Sequence, residues 1–384
     1  MLKYEIERDE LQDAANNSRH DPLNNRDALF NFMSFFAKHC LGVDVGASSI
    51  KIVEISMFGK RKKLENYAEF NLPQKDGFTK NTFESENMLL LSEEVARVLK
   101  ALLKAAKIKE RNAAFSIPDF STFFTAFSLP PMSKSEVDKA VEFEARHHIP
   151  LSLSEVTFDW QVIDRKEILP GIKLKILLVA VPNKVLNNYQ KMANISALNL
   201  KGMEAEIFGL IRAVMPKDGF KAPVCLIDIG WQSTTVGIVD GKTLRASYSF
   251  DISGNNFTKS LSDKLKISMQ EAEALKRENG LDPKNKEASD ILAEEADNLV
   301  SEVKKVADDY EKEENKKIES IILSGGTASL FGLRDYFEGR IKKPTGFINP
   351  FSFISTPKEL RGRLEKIGQS FAVAIGVALM GLES

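Results

Sequence analysis

The sequence has little of what marks several classes of protein. Of its 384 residues only Cys40 and Cys225 are cysteines, which excludes a disulfide framework and a zinc knuckle. Basic residues (53) and acidic residues (54) nearly balance, so no global positive field favours nucleic acid. No apolar run reaches the length of a transmembrane span, and the polar start MLKYEIERDE is unlike a signal peptide. We therefore expect a cytoplasmic protein with no nucleic-acid partner.

A short motif, in contrast, occurs twice in the chain. The first copy, LGVDVGASSIKIVEIS, covers residues 41–56, and the second, VCLIDIGWQSTTVGIVD, covers residues 224–240. Both read as a strand, an Asp-x-Gly turn, small hydroxyl residues and a second strand. Aligning the copies matches three pairs of like residues: Asp44 with Asp228, Gly46 with Gly230, and Ser49 with Ser233. The separation is too long for a solenoid period and indicates two related domains that face each other.

The residue types of this motif suit a phosphate group and its metal. Glycine allows a tight turn that brings backbone N–H groups up to an anion. Hydroxyl donors and one positive charge follow the turns: Ser48, Ser49, Lys51, Thr234 and Thr235. The two aspartates fit if Mg²⁺ and its waters lie between them and the phosphate, since Mg²⁺ keeps waters and takes few carboxylates. Either copy alone reads more readily as a hairpin with an Asx turn, but the pair favours phosphate binding.

A third element strengthens this interpretation. Residues 320–333, SIILSGGTASLFGL, run from an apolar strand through a Gly-Gly turn into a helical pattern. Such a turn at a helix N-terminus suits close approach by a flat or anionic ligand. Alone it indicates no more than an ordinary βα turn, whereas after two Asp-x-Gly motifs it is specific.

The three motifs together resemble those of the actin-like ATPase superfamily, which includes actin, sugar kinases, heat-shock chaperone ATPases and the cell-division protein FtsA. Within it, the chain is most similar to the PilM family of type IV pilus assembly proteins. Four stretches carry that similarity: LGVDVGASSIKIVEIS, ARHHIPLSLSEVTFDWQVID (145–164), AEALKRENG (272–280) and FAVAIGVALMGL (371–382). The resemblance covers roughly residues 29–384, and the 145–164 stretch selects PilM within the superfamily.

The resemblance implies an α/β fold of the actin-like ATPase kind, with two domains around a nucleotide cleft and an inserted subdomain of the type called 1C. The expected boundaries are a polar extension at 1–28, the first domain at 29–121, 199–222 and 361–384, the inserted subdomain at 122–198, and the second domain at 223–360.

It also implies ATP and Mg²⁺ as ligands of the cleft. Phosphate contacts are expected from Gly46, Ser48, Ser49, Lys51, Gly230, Ser233, Thr234 and Thr235. Contacts with the nucleoside are expected from Glu273, Lys276, Arg277, Gly325, Gly326 and Leu330, with Gly254 and Thr327 as further nucleotide contacts. Asp44 and Asp228 would hold the metal through water. Glu204 and Glu206 are the expected water-polarising residues, although hydrolysis should be slow or negligible because no substrate site is recognisable.

The implied partner is the cytoplasmic N-terminal tail of a PilN-like inner-membrane protein, bound between the first domain and the inserted subdomain. An extended tail suits this groove, and the expected walls are the strand Thr122 to Leu129 and the helix Val137 to His148, with Phe143 as a pocket residue. Such binding would place the protein at the inner face of the inner membrane without a lipid anchor. Pilus motor or platform proteins and a second copy of the chain are further partners that the resemblance allows.

Two other functions compete with this one. Sugar kinases share the fold, but the sequence shows no clear constellation for a sugar and its general base. An FtsA-like filament scaffold is the other alternative. Such proteins usually end in a basic amphipathic membrane helix, and the final residues GVALMGLES do not have that pattern.

Three helical segments have alternative readings. Six apolar residues step along one face of a charged helix: Leu292, Ala296, Leu299, Val303, Val306 and Tyr310. They predict packing on the second domain's sheet rather than a coiled coil, which needs more heptads. The apolar segment from Ile367 to Met380 is expected to be a buried helix, too short to span a membrane. The phenylalanine-rich segment 29–37 is expected to cover the first domain's core, with contact to a partner or a membrane surface as the alternative.

Overall fold

The computed structural model describes residues 37–72, 88–168 and 171–383. The predicted polar extension 1–28 and nearly all of the phenylalanine-rich segment 29–37 lie outside these residues.

Strands and helices alternate along the described chain. The strands are β1 Lys38–Val45, β2 Ser49–Phe58, β3 Arg61–Asn71, β4 Asn112–Ile117, β5 Phe123–Met132, β6 Val156–Ile168, β7 Gly171–Pro182, β8 Asn199–Ala205, β9 Val224–Ile229, β10 Thr234–Asp240, β11 Thr243–Phe250, β12 Ser320–Ser324 and β13 Thr345–Phe347. The helices are α1 Met88–Ala105, α2 Lys134–His148, α3 Asn183–Ile195, α4 Glu206–Val214, α5 Gly254–Leu265, α6 Met269–Asn279, α7 Lys286–Glu314, α8 Leu333–Ile341 and α9 Arg361–Glu383.

Two sheets of the described chain share one topology. The first has the strand order β3-β2-β1-β4-β8 and the second has the order β11-β10-β9-β12-β13. In each, the central strand pairs antiparallel with the next strand along the chain and parallel with the one that follows a helix. The two copies of the sequence motif form the central hairpins, β1–β2 and β9–β10. The duplicated motif is therefore a duplicated structural unit, and the predicted α/β fold with two related domains is confirmed.

Helices cover both faces of the first sheet, and its central strand is accordingly buried from Cys40 to Val45. On one face Leu41 and Val43 of β1 pack with residues of α1 and α3, among them Leu99 and Tyr189. On the other face lie α4 and α9, in a core cluster that also contains Val224 and neighbouring residues of the second sheet. The helices α4 and α9 thus form the layer between the two sheets.

Glycines permit the close packing of that middle layer. A Cβ at Gly42 would lie 1.8 Å from the carbonyl oxygen of Ala374, and one at Gly376 would lie 1.8 Å from that of Gly209. Backbone therefore meets backbone where α9 crosses β1 and α4. Any larger residue at either position would push the layer apart.

Helix α9 is longer than the apolar segment from which it was predicted. With the turn before it, the segment Lys358–Glu383 has 26 residues and is long and apolar enough, by length and composition, to cross a membrane, so the expectation that it is too short is wrong. Within its most apolar window, however, 61% of the helix is buried in the fold. The predicted burial in the first domain is confirmed by Phe371, Ile375 and Val377, which are at most 1% exposed.

Helix α7 packs on the second domain as predicted. All six residues of its apolar face are buried: Leu292, Ala296, Leu299, Val303, Val306 and Tyr310. They join the core cluster of the second sheet, which includes Cys225 and Ile227 of β9. The alternative of a coiled coil is therefore not needed to explain the pattern.

A third sheet, with the order β5-β7-β6, is inserted between β4 and β8. Helix α2 packs on it through Val137, Val141 and Ala145, and these residues share a small core with Ile176 and Leu178 of β7. The chain then returns through α3, whose Val185 and Tyr189 belong to the core of the first sheet. An inserted subdomain is thus present, and the boundary at residue 198 stays a prediction.

Candidate functional site

A cavity of about 420 Å³ opens between the two duplicated sheets, where the hairpin turns of both reach it. Most of the predicted site residues line it: Asp44, Gly46, Ser48, Ser49, Lys51, Glu206, Asp228, Gly230, Ser233, Thr235, Glu273, Lys276, Arg277, Gly325, Gly326, Thr327 and Leu330. Its size is ordinary for a pocket that takes a small organic ligand. Thr234, Gly254 and Glu204 are not among the lining residues.

The two turns have the same geometry. The backbone N–H of Gly46 donates to the carbonyl oxygen of Ser49 at 3.0 Å, and that of Gly230 donates to the carbonyl oxygen of Ser233 at 3.0 Å. A Cβ at Gly230 would lie only 2.9 Å from the Ser233 oxygen. A Cβ at Gly46 would lie 3.3 Å from the Ser49 oxygen, so the second turn tolerates a side chain less well than the first.

The two aspartates each stand one residue before the end of equivalent strands, β1 and β9. Asp44 Oδ1 accepts a hydrogen bond from the Ser116 hydroxyl on β4 at 2.8 Å. Ser324 of β12 holds the matching position beside Asp228 in the second sheet. Burial is the largest influence on Asp228 and raises its pKa to about 6. A hydrogen bond from Ser324 opposes this rise, and the charge of Asp44 adds to it. Both carboxylates thus face the cavity from opposite domains.

Lys51 brings the first hairpin's positive charge to the same place. It pairs with Asp44 in the β1–β2 register, and its Nζ donates to Ser49 Oγ at 2.7 Å. That nitrogen lies 3.9 Å from Asp44 Oδ2 and 4.0 Å from Glu69 Oε1. In the second hairpin Thr235 stands in the corresponding register position, opposite Asp228. The repeat is thus asymmetric in charge.

The donor set fits a metal held indirectly. Among the residues that the structure describes, no group of three or more His, Cys, Asp or Glu side chains is arranged to ligate an ion. A direct all-protein cage is therefore not offered in this part of the chain. One carboxylate from each domain, with hydroxyl groups beside them, is instead what Mg²⁺ accompanied by water and phosphate oxygens requires.

Only one of the two predicted water-polarising carboxylates lines the cavity. Glu206 begins α4 and faces it. Glu204 is fully buried and forms an ion pair with Arg212. Residues two apart share a face only while a strand continues, and β8 ends at Ala205. The chain changes from strand to helix between the two glutamates, and their side chains therefore point in different directions.

An acidic residue that the sequence did not suggest lies behind Glu206. The backbone N–H of Asp119 donates to Glu206 Oε2 at 3.2 Å, and Asp119 Oδ1 accepts from the backbone N–H of Ile207 at 3.3 Å. Burial raises the pKa of Asp119 to about 8, and the charge of Asp228 adds to this. Burial, followed by the charge of Asp119, also raises the pKa of Glu206 well above its usual range. No motif surrounds Asp119, and only its place after a strand could have drawn attention to it.

Helix α6 supplies a charged group on the opposite side of the cavity. Glu273 accepts hydrogen bonds from Lys276 Nζ at 2.7 Å, from Arg277 Nε at 2.6 Å and from Thr258 Oγ1 at 2.6 Å. Burial opposes its ionisation, but the charge and bonds of Lys276 outweigh this, and the pKa of Glu273 is lowered. The predicted trio is thus assembled as one network.

Gly254 and Thr234 were predicted to contact the nucleotide, but they do not line the cavity and instead contact the segments next to it. The carbonyl oxygen of Gly254 accepts from Lys276 Nζ at 3.0 Å, and a Cβ at Gly254 would lie 2.3 Å from Thr327 Oγ1. Thr234 is fully buried and donates to the carbonyl oxygen of Ile252 at 2.5 Å. Both residues fix neighbouring segments, and the structure does not bring them to the cavity surface.

The Gly-Gly turn forms another wall. Gly325 has a φ of +91°, and a Cβ there would lie 2.4 Å from the carbonyl oxygen of Ile229. A Cβ at Gly326 would meet nothing within 4 Å. The first glycine is therefore needed for the backbone, whereas the second leaves open space for a ligand.

Several lining residues were not predicted, notably Phe120, Trp231, Gln232, Lys366 and Gln369. Among the described residues, the indole nitrogen of Trp231 and the side-chain oxygens of Gln232 and Gln369 are buried without a hydrogen-bond partner. Lys276 Nζ also lies 4.9 Å from the centroid of the Trp231 ring. These polar atoms are available to a bound ligand or its waters. Trp231 and Gln232 lie inside the second copy of the motif, and this position is the sequence signal that could have identified them.

A separate, small apolar groove of about 20 Å³ lies where the inserted sheet meets the first domain. It is lined by Asp159, Trp160, Gln161, Leu177, Val179, Val181, Ala205 and Phe208. The first three belong to the 145–164 stretch that resembles the PilM family. The residues of the two predicted walls are not among the groove's lining residues. Phe143 of α2 is 61% exposed, and the ring of Phe124 on β5 lies 6.2 Å from that of Phe208.

Among curated proteins, the relatives of this chain include cell division proteins. Two cell division proteins FtsA match in part: that of Bacillus subtilis (strain 168) is 27% identical over 122 residues, 31% of this chain and 28% of the relative. That of Neisseria meningitidis serogroup B is 23% identical over 212 residues, 53% of this chain and 49% of the relative. The chain thus spans at most about half the length of these curated relatives.

Solved structures match over nearly the whole chain. A PilM-PilN type IV pilus biogenesis complex matches with a TM-score of 0.77 and 22% identity, covering 90% of this chain and 99% of the other. The ethanolamine utilization protein EutJ from Carboxydothermus hydrogenoformans matches with a TM-score of 0.55 and 15% identity, covering 89% of each chain. A family model described as type IV pilus assembly protein PilM matches residues 42–382, and the chain therefore belongs to the PilM family.

Proposed function

We propose that this protein is a nucleotide-dependent assembly protein of a type IV pilus or related secretion machine. ATP with Mg²⁺ binds in the cavity between the two sheets and holds the domains together. The folded chain then receives the cytoplasmic tail of a PilN-like membrane protein. The observation that carries the proposal is the convergence of both Asp-x-Gly turns and the Gly-Gly turn on one cavity.

Each domain contributes part of the nucleotide site. The turns at Gly46 and Gly230 offer backbone N–H groups and hydroxyls to the phosphates, and Lys51 adds a positive charge. Asp44 and Asp228 would hold Mg²⁺ through water from opposite sides. A ligand that touches both domains favours the closed arrangement and stabilises the protein by mass action.

Hydrolysis should be slow. Glu206 is the glutamate of β8–α4 that faces the cavity, and burial beside Asp119 raises its pKa well above the usual range. A raised pKa disfavours the ionised carboxylate, which is the form that accepts a proton from water. We therefore assign the nucleotide a structural role, in which it stabilises one arrangement of the two domains.

The apolar groove is the proposed site of the membrane partner's tail. Trp160 and Leu177 of the inserted sheet and Phe208 of α4 supply its apolar surface. Strand β6, which carries Trp160, is an outer strand of its sheet in the described part of the chain. An extended tail could bond to such an edge and place alternate apolar side chains in the groove. Tail binding would hold the protein at the inner face of the inner membrane.

Thermal denaturation of the full chain tests the nucleotide site. ATP with Mg²⁺ should raise the melting temperature, and ATP with a chelator should raise it less. Asp228→Ala should lose most of the Mg²⁺-dependent part. Asp251→Ala, an exposed acidic residue outside the cavity lining, is the matched control and should shift like the parent protein. A folded protein that shows no shift at millimolar nucleotide would contradict the proposal.

A further inference from the structure

We infer that the junction between β8 and α4, residues 205–208, couples the nucleotide cavity to the apolar groove, with Asp119 as the residue that positions it. The inference deepens the proposed function and rests on it. Under this coupling, each ligand would change the affinity of the protein for the other.

The two sites share one short stretch of backbone. Glu206 lines the cavity, while Ala205 before it and Phe208 after it line the groove. These residues form the last position of a strand and the first turn of a helix. A rotation of this turn that moves Glu206 toward a ligand must also move Phe208, because the intervening backbone is helical and stiff.

Asp119 holds this turn by two reciprocal bonds. Its carboxylate accepts from the backbone N–H of Ile207 at 3.3 Å, and its own backbone N–H donates to Glu206 Oε2 at 3.2 Å. The first bond caps an otherwise unpaired N–H at the start of α4. Asp119 is 2% exposed, and its neighbours Pro118 and Phe120 both line the cavity. We call these two hydrogen bonds, which join Asp119 to Glu206 and Ile207, the clasp. A ligand in the cavity would therefore contact residues on both sides of it.

The clasp stands beside the exit to the inserted subdomain. The chain leaves the first sheet after Ile117, and Ile117 pairs in register with Ala205, the last residue of β8, on the adjacent parallel strand. Asp119 follows this exit, and Glu206 follows the end of β8. The bonds between them thus tie the connection that leads to the inserted sheet to the start of α4.

The rest of α4 is held in place. A Cβ at Gly376 of α9 would lie 1.8 Å from the Gly209 carbonyl oxygen, so α4 and α9 meet backbone to backbone at that point. Motion is therefore confined to the first turn of α4, ahead of Gly209. This first turn carries both Glu206 and Phe208.

The coupling must be reciprocal. If nucleotide fixes the junction in the arrangement that receives the tail, the tail binds more tightly in its presence, and nucleotide binds more tightly with tail present by the same factor. Coupling through a packed element of this kind is usually at least about fivefold in affinity.

Fluorescence anisotropy of a labelled synthetic peptide, the cytoplasmic N-terminal tail of the PilN-like protein from the same organism, measures this on the full chain. Its dissociation constant is determined without nucleotide and with saturating ATP and Mg²⁺. We expect a ratio of about five or more for the parent protein. Asp119→Ala should reduce the ratio to near one while both ligands still bind.

Two variants separate positioning from a merely structural role. Asp119→Asn keeps an oxygen that can accept from Ile207 N–H, and it should restore most of the ratio. Ser121→Ala lies in the same turn, where its hydroxyl donates only to the Pro118 carbonyl oxygen, and should leave the ratio unchanged. Equal tail affinity with and without nucleotide in the parent protein would overturn the coupling alone. Absence of nucleotide binding or of tail binding would overturn the proposed function and the coupling with it.

Discussion

Lys51 Nζ lies 3.9 Å from Asp44 Oδ2, across the β1–β2 hairpin at the edge of the cavity. The corresponding pair in the second hairpin is Thr235 and Asp228, which has a hydroxyl in place of the ammonium group. The first hairpin therefore offers an ammonium group to the ligand, and the second hairpin offers a hydroxyl group at the same position. The affinity of the site for a triphosphate should depend strongly on the hairpin that carries Lys51.

Removal of the positive charge of Lys51 should weaken nucleotide binding. Lys51→Ala takes away a phosphate partner and leaves the buried Asp44 carboxylate without its cation, so we expect a loss of about tenfold or more in affinity. Isothermal titration with ATP and Mg²⁺ measures it. Lys63→Ala, a lysine of the same sheet whose ammonium pairs with Glu65 outside the cavity lining, is the control. Equal affinity in the two variants would remove Lys51 from the site.

The adjacent glycines of the third motif should respond differently to alanine. Gly325→Ala forces a Cβ against the Ile229 carbonyl oxygen at a φ of +91° and should lower the free energy of unfolding by about 2–4 kcal/mol. Gly326→Ala meets no neighbouring atom and should keep its stability, but its methyl group would occupy ligand space and weaken nucleotide binding. Urea denaturation and nucleotide titration of both variants check this pair. A stable Gly325→Ala protein would show that the turn is not strained.

The contribution of Asp119 to stability should fall as the pH rises from about 4 to about 8. The pKa of Asp119 is raised by burial from 3.8 to about 8, so the folded state binds its proton more tightly than the unfolded state does. That stabilisation is complete below the unfolded pKa and is lost as the pH approaches the folded value. Glu206 and Asp228, whose pKa values are also raised by burial, act in the same direction.

Asp119→Asn removes one of these titrating groups. The difference in the free energy of unfolding between the two ends of that pH range should be smaller in the variant than in the parent protein. Urea denaturation at each end measures it. An unchanged difference would mean that Asp119 does not titrate in this range.

Tail binding should depend on the groove and not on α2. Trp160→Ala removes a large part of the apolar surface of the groove and should weaken tail binding by about tenfold or more. Phe143→Ala changes an aromatic residue that is 61% exposed on α2 and should leave it unchanged. Anisotropy with the labelled tail compares the two. The reverse order of effects would return the binding site to the α2 wall that the sequence suggested.

The sequence predicts the duplicated hairpins well because aspartate, glycine and hydroxyl residues at fixed spacing leave few alternatives for the backbone. Asp44 and Asp228 therefore lie where they were expected. Glu204 does not line the cavity, since one change from strand to helix at residue 205 reverses a side chain's direction, and periodicity does not locate such changes to one residue. The full length of α9 was also missed, because its first turns are polar and only its apolar half gave a signal.

Residues joined by tertiary contact alone were beyond sequence reasoning. Asp119 reaches Ile207 across 88 positions, and nothing near either residue marks the pair. The sequence predicted a tail groove with walls from β5 and α2, whereas the apolar groove is lined from β6, β7 and the β8–α4 junction. Which of these surfaces receives the tail stays a prediction. These contacts depend on how the inserted sheet rests against the first domain, and that placement has no local pattern.

Hydrogen–deuterium exchange with and without ATP and Mg²⁺ tests the central claim most directly, because it reports on both domains in one experiment. A nucleotide held between the sheets should slow exchange in the turn around Gly46 and in the turn around Gly230 together, and less in Asp228→Ala. Slower exchange in one turn only, or in neither, would contradict a nucleotide site shared by the two domains.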